Sequence, residues 1–348
     1  MELERKLRVV QMGLGPIGIK TTQFLAERTN IEIVGAIDTD PEKLGRDVGT
    51  LAGLPAIGVK VAAGLEQVLG KRDVDLVALT TTSSLAKTYE QLRQLLPYGV
   101  NVISSCEELS YPWVKCPEIA AGIDKLAQDN HVAVLGTGVN PGFLMDFLPV
   151  VMSGVCRNIR KVTVERIQDA TFRRLPFQKK IGAGLTVREF DEKVNEGTLR
   201  HVGLAESVQM IASCLGWKLD RTGEEIAPII AERQVRTQSM VVERGDALGV
   251  QQIGHGIVGG KEVILLVFRA AIAEPDVRDR IVLEGTPCID TCIKGGVNGD
   301  VATCAVLVNA IPSIMHARPG LRTMVEIEPP SCWFSCPAGC QESPAGER

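Results

Sequence analysis

Apolar runs of strand length alternate with amphipathic, helix-like stretches along residues 1–137. The strand candidates are residues 8–12, 31–37, 57–61, 74–79, 101–105 and 131–135. Between them, stretches such as residues 84–96 carry leucines at helical spacing near one face. Because strands and helices alternate, this region predicts an α/β fold with a doubly wound parallel sheet and right-handed crossovers.

The pattern changes after residue 137. Thr186 is predicted to cap a helix that ends at residue 195, after a cation-rich stretch, residues 172–185, that reads as a loop. Further elements are strands at residues 161–168, 235–243, 253–258, 262–270 and 281–284, and helices at residues 205–215 and 301–315. This mixture predicts a second, α+β domain with an antiparallel sheet.

The turn after the first predicted strand has the spacing G-x-G-x-x-G. Gly13 permits the tight turn, Gly15 allows a pyrophosphate to approach the backbone, and Gly18 allows close helix–strand packing. Asp38 ends the second strand, twenty residues after Gly18, and is placed to bind ribose hydroxyls. Such glycines also serve ordinary turns, but here the strand, helix, second strand and acid all have the expected spacing. The predicted cofactor contacts in this stretch are Gly13, Gly15, Pro16, Ile17, Gly18 and Asp38.

These features together predict the domain organisation. Residues 1–137 form a dinucleotide-binding Rossmann domain, and residues 138–300 form an α+β domain for substrate binding and dimerisation. A dimer is expected because the antiparallel strands would otherwise present an open sheet face or edge. Residues 301–327 form a helix and a segment that return to the first domain, and residues 328–348 form a disordered tail.

Composition restricts the class of protein. The chain has 348 residues, of which 45% are hydrophobic and 23% charged, as expected for a soluble globular protein. The net charge is −4 with dispersed Lys and Arg, and no apolar run approaches the ~18 residues of a membrane span. Neither a nucleic-acid partner nor a membrane partner is therefore expected. The charged N terminus and the apolar setting of most cysteines predict a cytoplasmic protein without a signal peptide.

Polar residues after the other strands should meet the cofactor at the same edge of the sheet, where ligands of this fold bind. The threonines that follow residues 74–79 are expected beside the nicotinamide and its ribose, or else as a cap on the next helix. The glycine-rich loop at residues 136–143 should approach the nicotinamide carboxamide, or else simply open a helix. The predicted contacts in these two loops are Thr80, Thr81, Thr82, Asn140 and Pro141.

Two adjacent carboxylates, Glu107 and Glu108, follow the strand at residues 101–105. A partly buried carboxylate at this end of the strand is suited to proton transfer or to stabilising a developing cation. The alternative is a pair of solvated turn residues.

Candidate acid–base, pocket and metal-binding residues elsewhere in the chain have weaker support from the sequence. His201 and His255 are suited to acid–base work, although a lone histidine is more often structural. The predicted substrate pocket contains Phe143, His201 and Thr303. The tail cysteines Cys332, Cys336 and Cys340 have four-residue spacing but no fourth ligand nearby, so no metal site is predicted.

The chain resembles the 2,4-diaminopentanoate dehydrogenase family and its relatives, the native amine dehydrogenases, and is distantly similar to dihydrodipicolinate reductase. The resemblance runs from about residue 7 to residue 328 and rests on the segments GLGPIG, AIDTDPEKLGRDVG, ISSCEELSYPW, GTGVNPGF, KKIGAGLTVREF, SCLGW, EGTPCID and PGLRTM. It implies a homodimer that uses NAD(P)H to interconvert a ketone or aldehyde plus ammonia with a primary amine. The family's catalytic carboxylate corresponds to Glu108, with Glu107 as the alternative register.

The choice of substrate within this family depends on residues 172–180. Diaminopentanoate carries a carboxylate, for which Arg173, Arg174 or Lys179 could be a partner. The segment nevertheless resembles the enzymes that accept simple amines, so we predict an amine dehydrogenase of small ketones and aldehydes. The alternatives are a 2,4-diaminopentanoate dehydrogenase, a reductase that needs no ammonia, and a non-catalytic NAD(P)-sensing protein.

The sequence favours NAD over NADP as the cofactor. The charge of Asp38 should repel a 2′-phosphate, and Asp40 adds to that repulsion. Lys43 is the nearest cation, and it could reach a phosphate only if the Asp-Pro turn brings it round.

Overall fold

The computed structural model describes residues 5–70, 73–173 and 175–333. The chain divides into two compact units, one formed by residues 1–143 and 298–348 and the other by residues 144–297. The sequence predicted domain boundaries after residues 137 and 300. The glycine-rich loop at residues 136–143 thus belongs to the first unit, which is built from both ends of the chain.

Strands and helices alternate in the N-terminal part of the first unit. They are β1 (Leu7–Met12), α1 (Pro16–Ala26), β2 (Ile31–Ile37), α2 (Val48–Leu51), β3 (Val61–Ala62), α3 (Leu65–Leu69), β4 (Leu76–Leu79), α4 (Leu85–Leu95), β5 (Asn101–Ser104), α5 (Pro117–Asp129) and β6 (Ala133–Gly136). Two short 3-10 turns, Leu96–Tyr98 and Glu107–Leu109, follow α4 and β5.

The second unit contains helices and longer strands. They are α6 (Phe147–Ser153), β7 (Asn158–Asp169), α7 (Leu175–Lys180), α8 (Val187–Asn195), α9 (Leu204–Cys214), β8 (Arg221–Ile230), β9 (Val235–Arg236), β10 (Val241–Val242), β11 (Ala247–Val258), β12 (Lys261–Ala271), β13 (Arg278–Thr286) and β14 (Ile289–Lys294). The chain then completes the first unit with α10 (Gly299–Asn309), α11 (Ile311–Met315) and β15 (Gly320–Arg322).

All seven strands of the first unit are parallel, in the order β15-β6-β5-β4-β1-β2-β3. The inner strands are apolar throughout because helices cover both faces of such a sheet. The core contains Val10, Val77, Val102 and Val134 from four strands and Leu92 from α4, all fully buried. The predicted α/β class with a doubly wound parallel sheet is confirmed.

The second unit is an α+β structure around a mixed six-stranded sheet. Its order is β14-β13-β7-β12-β11-β8, and all pairs are antiparallel except β7 with β12. Alternate residues of β7 and β12 pack against α9 in one buried cluster. The predicted cap of α8 is confirmed as a capping box, in which Thr186 Oγ1 accepts a bond from the Glu189 amide and the Glu189 carboxylate accepts one from the Thr186 amide.

Four predictions of secondary structure were wrong. The single strand expected at residues 235–243 is instead the antiparallel pair β9 and β10, because the chain reverses at residues 237–240, where Thr237 Oγ1 accepts from the Ser239 and Met240 amides. Residues 57–60 are not part of a strand, because the Asp47 carboxylate draws the amides of Ile57 and Gly58 into a loop. The expected loop at residues 172–185 contains α7, whose Gln178 side chain donates to the Ala170 and Thr171 carbonyls. The single helix at residues 301–315 is broken at Ala310, since proline near the start of α11 has no amide hydrogen to continue α10.

Three strands, β8, β14 and β15, went unpredicted, and part of the tail cannot be compared. β8 contains a proline and consecutive glutamates, and β14 is largely exposed, so neither shows the alternation of a half-buried strand. Of the predicted tail, residues 334–348 lie outside the described residues, together with Cys336 and Cys340. No described helix is long and apolar enough to cross a membrane.

Candidate active site

The loops that the sequence singled out in the first unit meet at one edge of the parallel sheet. From β1 the chain moves outward to β2 and β3, whereas β4, β5 and β6 lie on the other side of β1. The topological switch point is therefore between β1 and β4, where a ligand is expected at the carboxyl ends. The glycine turn, Asp38 and residues 80–84, 105–109 and 137–143 all follow strands at that edge.

Each glycine of the turn has a distinct steric environment. Gly13 has a positive φ of 88°, and a Cβ there would lie 2.8 Å from the Thr80 carbonyl oxygen. A Cβ on Gly18 would overlap the Gly13 carbonyl oxygen, so the start of α1 can pack on the turn only without a side chain. Gly15 is different, because no atom lies within 4 Å of its would-be Cβ. Gly15 therefore leaves free space directly in front of the helix.

The start of α1 suits a phosphate group. Gly15 is the N-cap of this 11-residue helix and makes no side-chain capping bond, and Pro16 brings no amide hydrogen. Helix geometry leaves the amides of Ile17 and Gly18 without an intrahelical acceptor, at the positive end of the helix dipole. An anion in front of Gly15 would thus meet two amide donors and the favourable end of the dipole. These residues fit the pyrophosphate of a dinucleotide.

Asp38 connects the end of β2 to the glycine turn. One carboxylate oxygen, Oδ2, accepts a 2.6 Å bond from the Leu14 amide, and Oδ1 accepts a 2.8 Å bond from the Asp40 amide. Lys43 Nζ lies 3.4 Å from Asp38 Oδ2 and 3.1 Å from Asp40 Oδ2. The Asp-Pro turn therefore places Lys43 beside Asp38, the predicted ribose-binding acid.

The three threonines after β4 have different partners. Thr80 Oγ1 donates to the Gly13 carbonyl at 2.9 Å and accepts from Gln11 Nε2, so it fixes the glycine turn. Thr81 Oγ1 bonds Gln91, and Thr82 Oγ1 accepts from the Ser84 amide just before α4. Thr80 thus supports the predicted cofactor-binding turn through the Gly13 carbonyl. Gln11 went unnoticed in the sequence, although a buried glutamine inside an apolar strand is a signal for such a role.

Glu108 is held at the start of α4. Its Oε2 atom accepts a 2.8 Å bond from the amide of Leu85, the first residue of that helix. The helix has Ser84 as its N-cap but no side-chain bond from it, so Glu108 satisfies an amide that the helix itself leaves open. The helix dipole favours a negative charge here. Glu107 and Glu108 are both half-buried, but Glu107 contributes its carbonyl, which accepts a 2.8 Å bond from Ser110 Oγ.

The loop at residues 137–143 is supported by the returning helix α10. Thr303 Oγ1 accepts a 3.3 Å bond from the Val139 amide, and its methyl group lies 3.4 Å from the would-be Cβ of Gly138. Asn140 and Pro141 are buried and joined by a cis peptide bond. Thr303, predicted as a pocket residue, thus shapes the loop that carries Asn140 and Pro141. Phe143, also predicted for the pocket, is half-buried at the end of this loop.

His201, the third predicted pocket residue, lies in the second unit. Its ring stacks on Phe268 at 4.2 Å, and the Gln252 side chain bonds both its amide and its carbonyl. Burial, with smaller contributions from Lys180 and Arg166, lowers the pKa of His201 to about 3. The imidazole is therefore neutral at neutral pH and suited to hydrogen bonding rather than to carrying charge.

A buried ion pair between Arg166 and Asp279 lies inside the second unit. Arg166 Nη1 is 2.9 Å from Asp279 Oδ1, and the side chains are only 2% and 5% exposed. Burial raises the pKa of Asp279 and lowers that of Arg166, against the mutual attraction of the two charges. Arg166 also donates to the Val297 carbonyl, and Asp279 accepts from the Val297 amide. The sequence carried a signal for Arg166, because it shares strand parity with the buried Val162 and Val164.

Other residues named from the sequence have ordinary partners. His255 Nδ1 lies 2.6 Å from Glu262, which also pairs with Lys161. The guanidinium of Arg173 stacks over Phe177 at 4.1 Å, and Lys179 is exposed. Arg174 lies outside the described residues. Over residues 5–70, 73–173 and 175–333, no group of three or more metal-ligating side chains is found.

Two family models match the chain. Residues 143–339 match the 2,4-diaminopentanoate dehydrogenase C-terminal domain, and residues 7–106 match the dihydrodipicolinate reductase N-terminus. A 2,4-diaminopentanoate dehydrogenase from Acetoanaerobium sticklandii is 33% identical over 333 residues, which cover 93% of this chain and 94% of the relative. The chain belongs to the 2,4-diaminopentanoate dehydrogenase family.

Amine dehydrogenases are similar over the same length. One from Streptomyces virginiae is 23% identical over 92% of this chain and 96% of its own length. The solved structure of an amine dehydrogenase from Mycobacterium smegmatis has a TM-score of 0.82 and 25% identity, over 93% of this chain and 97% of that chain. As a member of the 2,4-diaminopentanoate dehydrogenase family, the protein is an NAD(P)-dependent oxidoreductase of amines. The predictions of the family and of an enzyme are confirmed.

Proposed function

We propose that the protein is an amine dehydrogenase that interconverts small ketones or aldehydes plus ammonia with primary amines. The observation that carries this proposal is the position of Glu108. A half-buried carboxylate, fixed by the Leu85 amide, follows β5 at the sheet edge where the glycine turn follows β1. A fixed anion in that place suits a reaction that passes through a cationic carbon–nitrogen double bond.

Glu108 acts in two stages in this mechanism. It first accepts a proton from ammonium or from the carbinolamine that forms when ammonia adds to the carbonyl. It next returns that proton to the carbinolamine hydroxyl, which leaves as water, and the regenerated carboxylate stabilises the iminium cation. Because Glu108 is held by a backbone amide, it needs no reorganisation to do so. Bound NAD(P)H supplies the hydride. In the oxidative direction the same carboxylate stabilises the iminium and assists its hydrolysis.

The cofactor contacts proposed for the first unit follow from the geometry of the turns. The amides of Ile17 and Gly18 and the space at Gly15 suit the pyrophosphate, and Asp38 suits the adenosine ribose. Thr80 holds the glycine turn, and its predicted contact with the cofactor remains part of this proposal. The remaining contacts, toward the nicotinamide end, are proposed to be Thr81, Thr82, Asn140 and Pro141.

2,4-Diaminopentanoate is the second candidate substrate. The A. sticklandii relative that carries this name is 33% identical, against 23% for the S. virginiae amine dehydrogenase. Among the cations proposed to meet its carboxylate, Arg173 and Lys179 lie on or beside α7. Phe143 and His201 are proposed to contact the carbon chain in either case.

A panel of amines separates these candidates. Oxidation would be followed as NADH or NADPH formation with isopropylamine, 2,4-diaminopentanoate and 2,4-diaminopentane, which carries a methyl group in place of the carboxylate. An amine dehydrogenase of broad substrate range should show kcat/KM values within about tenfold for the two diamines, a difference of ~1.4 kcal/mol. A preference for the carboxylate of a hundredfold or more would favour the diamino-acid enzyme. No turnover of any amine would reject both.

A homodimer formed through the second unit is part of this proposal. The sheet face that carries Thr163, Leu265 and Val267 stays half-exposed in the single chain, whereas alternate residues on the same strands are buried. The same face carries Glu165 with its partners Arg278 and Arg280, so its polarity is mixed. A half-exposed sheet face of this kind is suited to pair with its own copy about a two-fold axis. Sedimentation at micromolar concentration should give twice the 37.5 kDa chain mass. A single-chain mass would contradict the proposal.

A further inference from the structure

Lys43 is the only one of the three charged groups clustered at the end of β2 that is free to turn. Asp38 is tied to the backbone of Leu14 and Asp40, and the Asp40 carboxylate accepts from the Glu42 amide at 3.0 Å. The ammonium of Lys43 lies between the two carboxylates, with the side chain 24% exposed. Its four-carbon chain can follow a new anion without moving the turn.

The charges of Asp38, Asp40 and Lys43 together determine whether the cluster can accept a 2′-phosphate. The two carboxylates alone would repel a 2′-phosphate, which is the basis for expecting NAD. Lys43 cancels part of that repulsion, and the carboxylates in turn raise its pKa against the lowering effect of its partial burial. With Lys43 present, a ribose 2′-hydroxyl and a 2′-phosphate each have a partner in the same cluster.

We propose that Lys43 determines cofactor specificity, allowing the site to bind NADP(H) in addition to NAD(H). With NAD(H), Lys43 stays on Asp38 and Asp40, and Asp38 accepts bonds from the ribose. With NADP(H), the ammonium turns toward the 2′-phosphate and screens it from both carboxylates. The inference rests on the proposed function only in that the site binds a nicotinamide dinucleotide.

Lys43→Met is the direct test, because methionine keeps the length of the apolar stem and removes the charge. Binding of NADH and NADPH would be measured by calorimetry on the full chain, together with AMP and adenosine 2′,5′-bisphosphate. The last two differ only by the 2′-phosphate and lack the nicotinamide, so they report on this cluster independently of any turnover. We expect NADPH and the bisphosphate to bind 10- to 100-fold more weakly, with NADH and AMP within about threefold of wild type. Lys43→Arg should restore most of the loss.

Two control substitutions that keep Lys43 make the test specific. Arg46→Met removes an exposed cation three residues further along the same turn, and Lys125→Met removes an exposed, ion-paired lysine on α5, beside the opposite end of the sheet. Neither should change the ratio of NADPH to NADH affinity. The inference is overturned if Lys43→Met weakens NADH and NADPH equally, if it changes neither, or if Arg46→Met alone removes NADPH binding. Asp38→Ala is a poorer probe, since it also releases the Leu14 amide and loosens the glycine turn.

Failure of this inference is distinguishable from failure of the proposed function. An enzyme that oxidises amines but shows no effect of Lys43→Met keeps its function and loses this assignment. A protein that discriminates between AMP and the bisphosphate through Lys43 but oxidises no amine keeps the assignment and loses the proposed reaction.

Discussion

Polar side chains are held in place differently in the two units. At the sheet edge of the first unit they bond to the backbone: Glu108 to the Leu85 amide, Asp38 to the Leu14 amide and Thr80 to the Gly13 carbonyl. Inside the second unit, Arg166 and Asp279 also bond the Val297 backbone, but they differ from these residues in forming a buried ion pair with each other across neighbouring strands. Replacing Glu108 by a residue that keeps its bond to the Leu85 amide should remove function from an intact fold. Replacing one member of the buried ion pair should weaken the fold itself.

Glu108→Gln gives the sharpest test of the first half of this contrast. The amide oxygen of glutamine can still accept the Leu85 bond, so the fold and the position of α4 should be kept while the charge is lost. We expect kcat for amine oxidation to fall about 1,000-fold, equivalent to ~4 kcal/mol of transition-state stabilisation. NADH affinity should stay within about threefold.

Glu107→Gln is the matched control for that variant and should retain most activity. A Glu108→Gln enzyme within tenfold of wild type would show that the catalytic carboxylate lies elsewhere, and Glu107 would be the next residue to examine.

Asp279→Asn tests the second half of the contrast. It leaves the buried guanidinium of Arg166 without a counter-charge, so the free energy of unfolding should fall by about 3 kcal/mol or more. Chemical denaturation would measure the loss. The double variant Arg166→Met/Asp279→Leu should recover most of the stability, because apolar groups of similar volume need no partner. A single variant as stable as wild type would mean that the pair does not support the fold.

A pair of glycine substitutions separates binding from folding within one turn. Gly15→Ala adds a Cβ where no atom lies within 4 Å, at a φ of −69° that alanine adopts freely. Alanine is a poorer N-cap than glycine but lowers the entropy of the unfolded chain, so the free energy of unfolding should change by less than ~1 kcal/mol. Its Cβ takes up space reserved for the pyrophosphate, so NADH should bind roughly tenfold more weakly, a loss of ~1.4 kcal/mol. Gly18→Ala should instead lower the free energy of unfolding by ~1–3 kcal/mol through overpacking against Gly13. Equal effects of the two changes on stability would contradict this division.

His201 makes stability depend on pH. Its pKa is lowered from 6.5 to about 3, so below pH 6.5 the unfolded chain binds a proton that the folded chain does not. Stability is therefore lost as pH falls from about 6.5 toward 3. Between pH 7 and pH 5 the wild type should lose ~1–2 kcal/mol more than His201→Gln, as measured by denaturation at both pH values. Parallel pH profiles for the two proteins would refute this role.

The parts that could be predicted from the sequence depend on local geometry. The glycine spacing and the apolar runs specify β1, α1 and β2, and Thr186 with Glu189 specifies the start of α8. Two contacts could not be predicted, because they join residues that are distant in the sequence. The hydrogen bond from the Leu14 amide to Asp38 spans 24 positions, and the pairing of Arg166 with Asp279 spans 113. Such contacts depend on strand order and register, which no local pattern encodes. β15 was missed for the same reason: three residues become a strand only because β6 is there to pair with them.

The seventh strand has a consequence for biosynthesis. β15 pairs with β6, and α10 packs against α1. When residues 7–136 have been synthesised, β6 therefore still lacks its partner strand and α1 still lacks its partner helix. All of the strands of the second unit emerge earlier than β15 does. The first unit therefore begins synthesis before the second unit but can complete its sheet only after the second unit has been synthesised. A nascent chain arrested before residue 320 would expose the free edge of β6 to other chains.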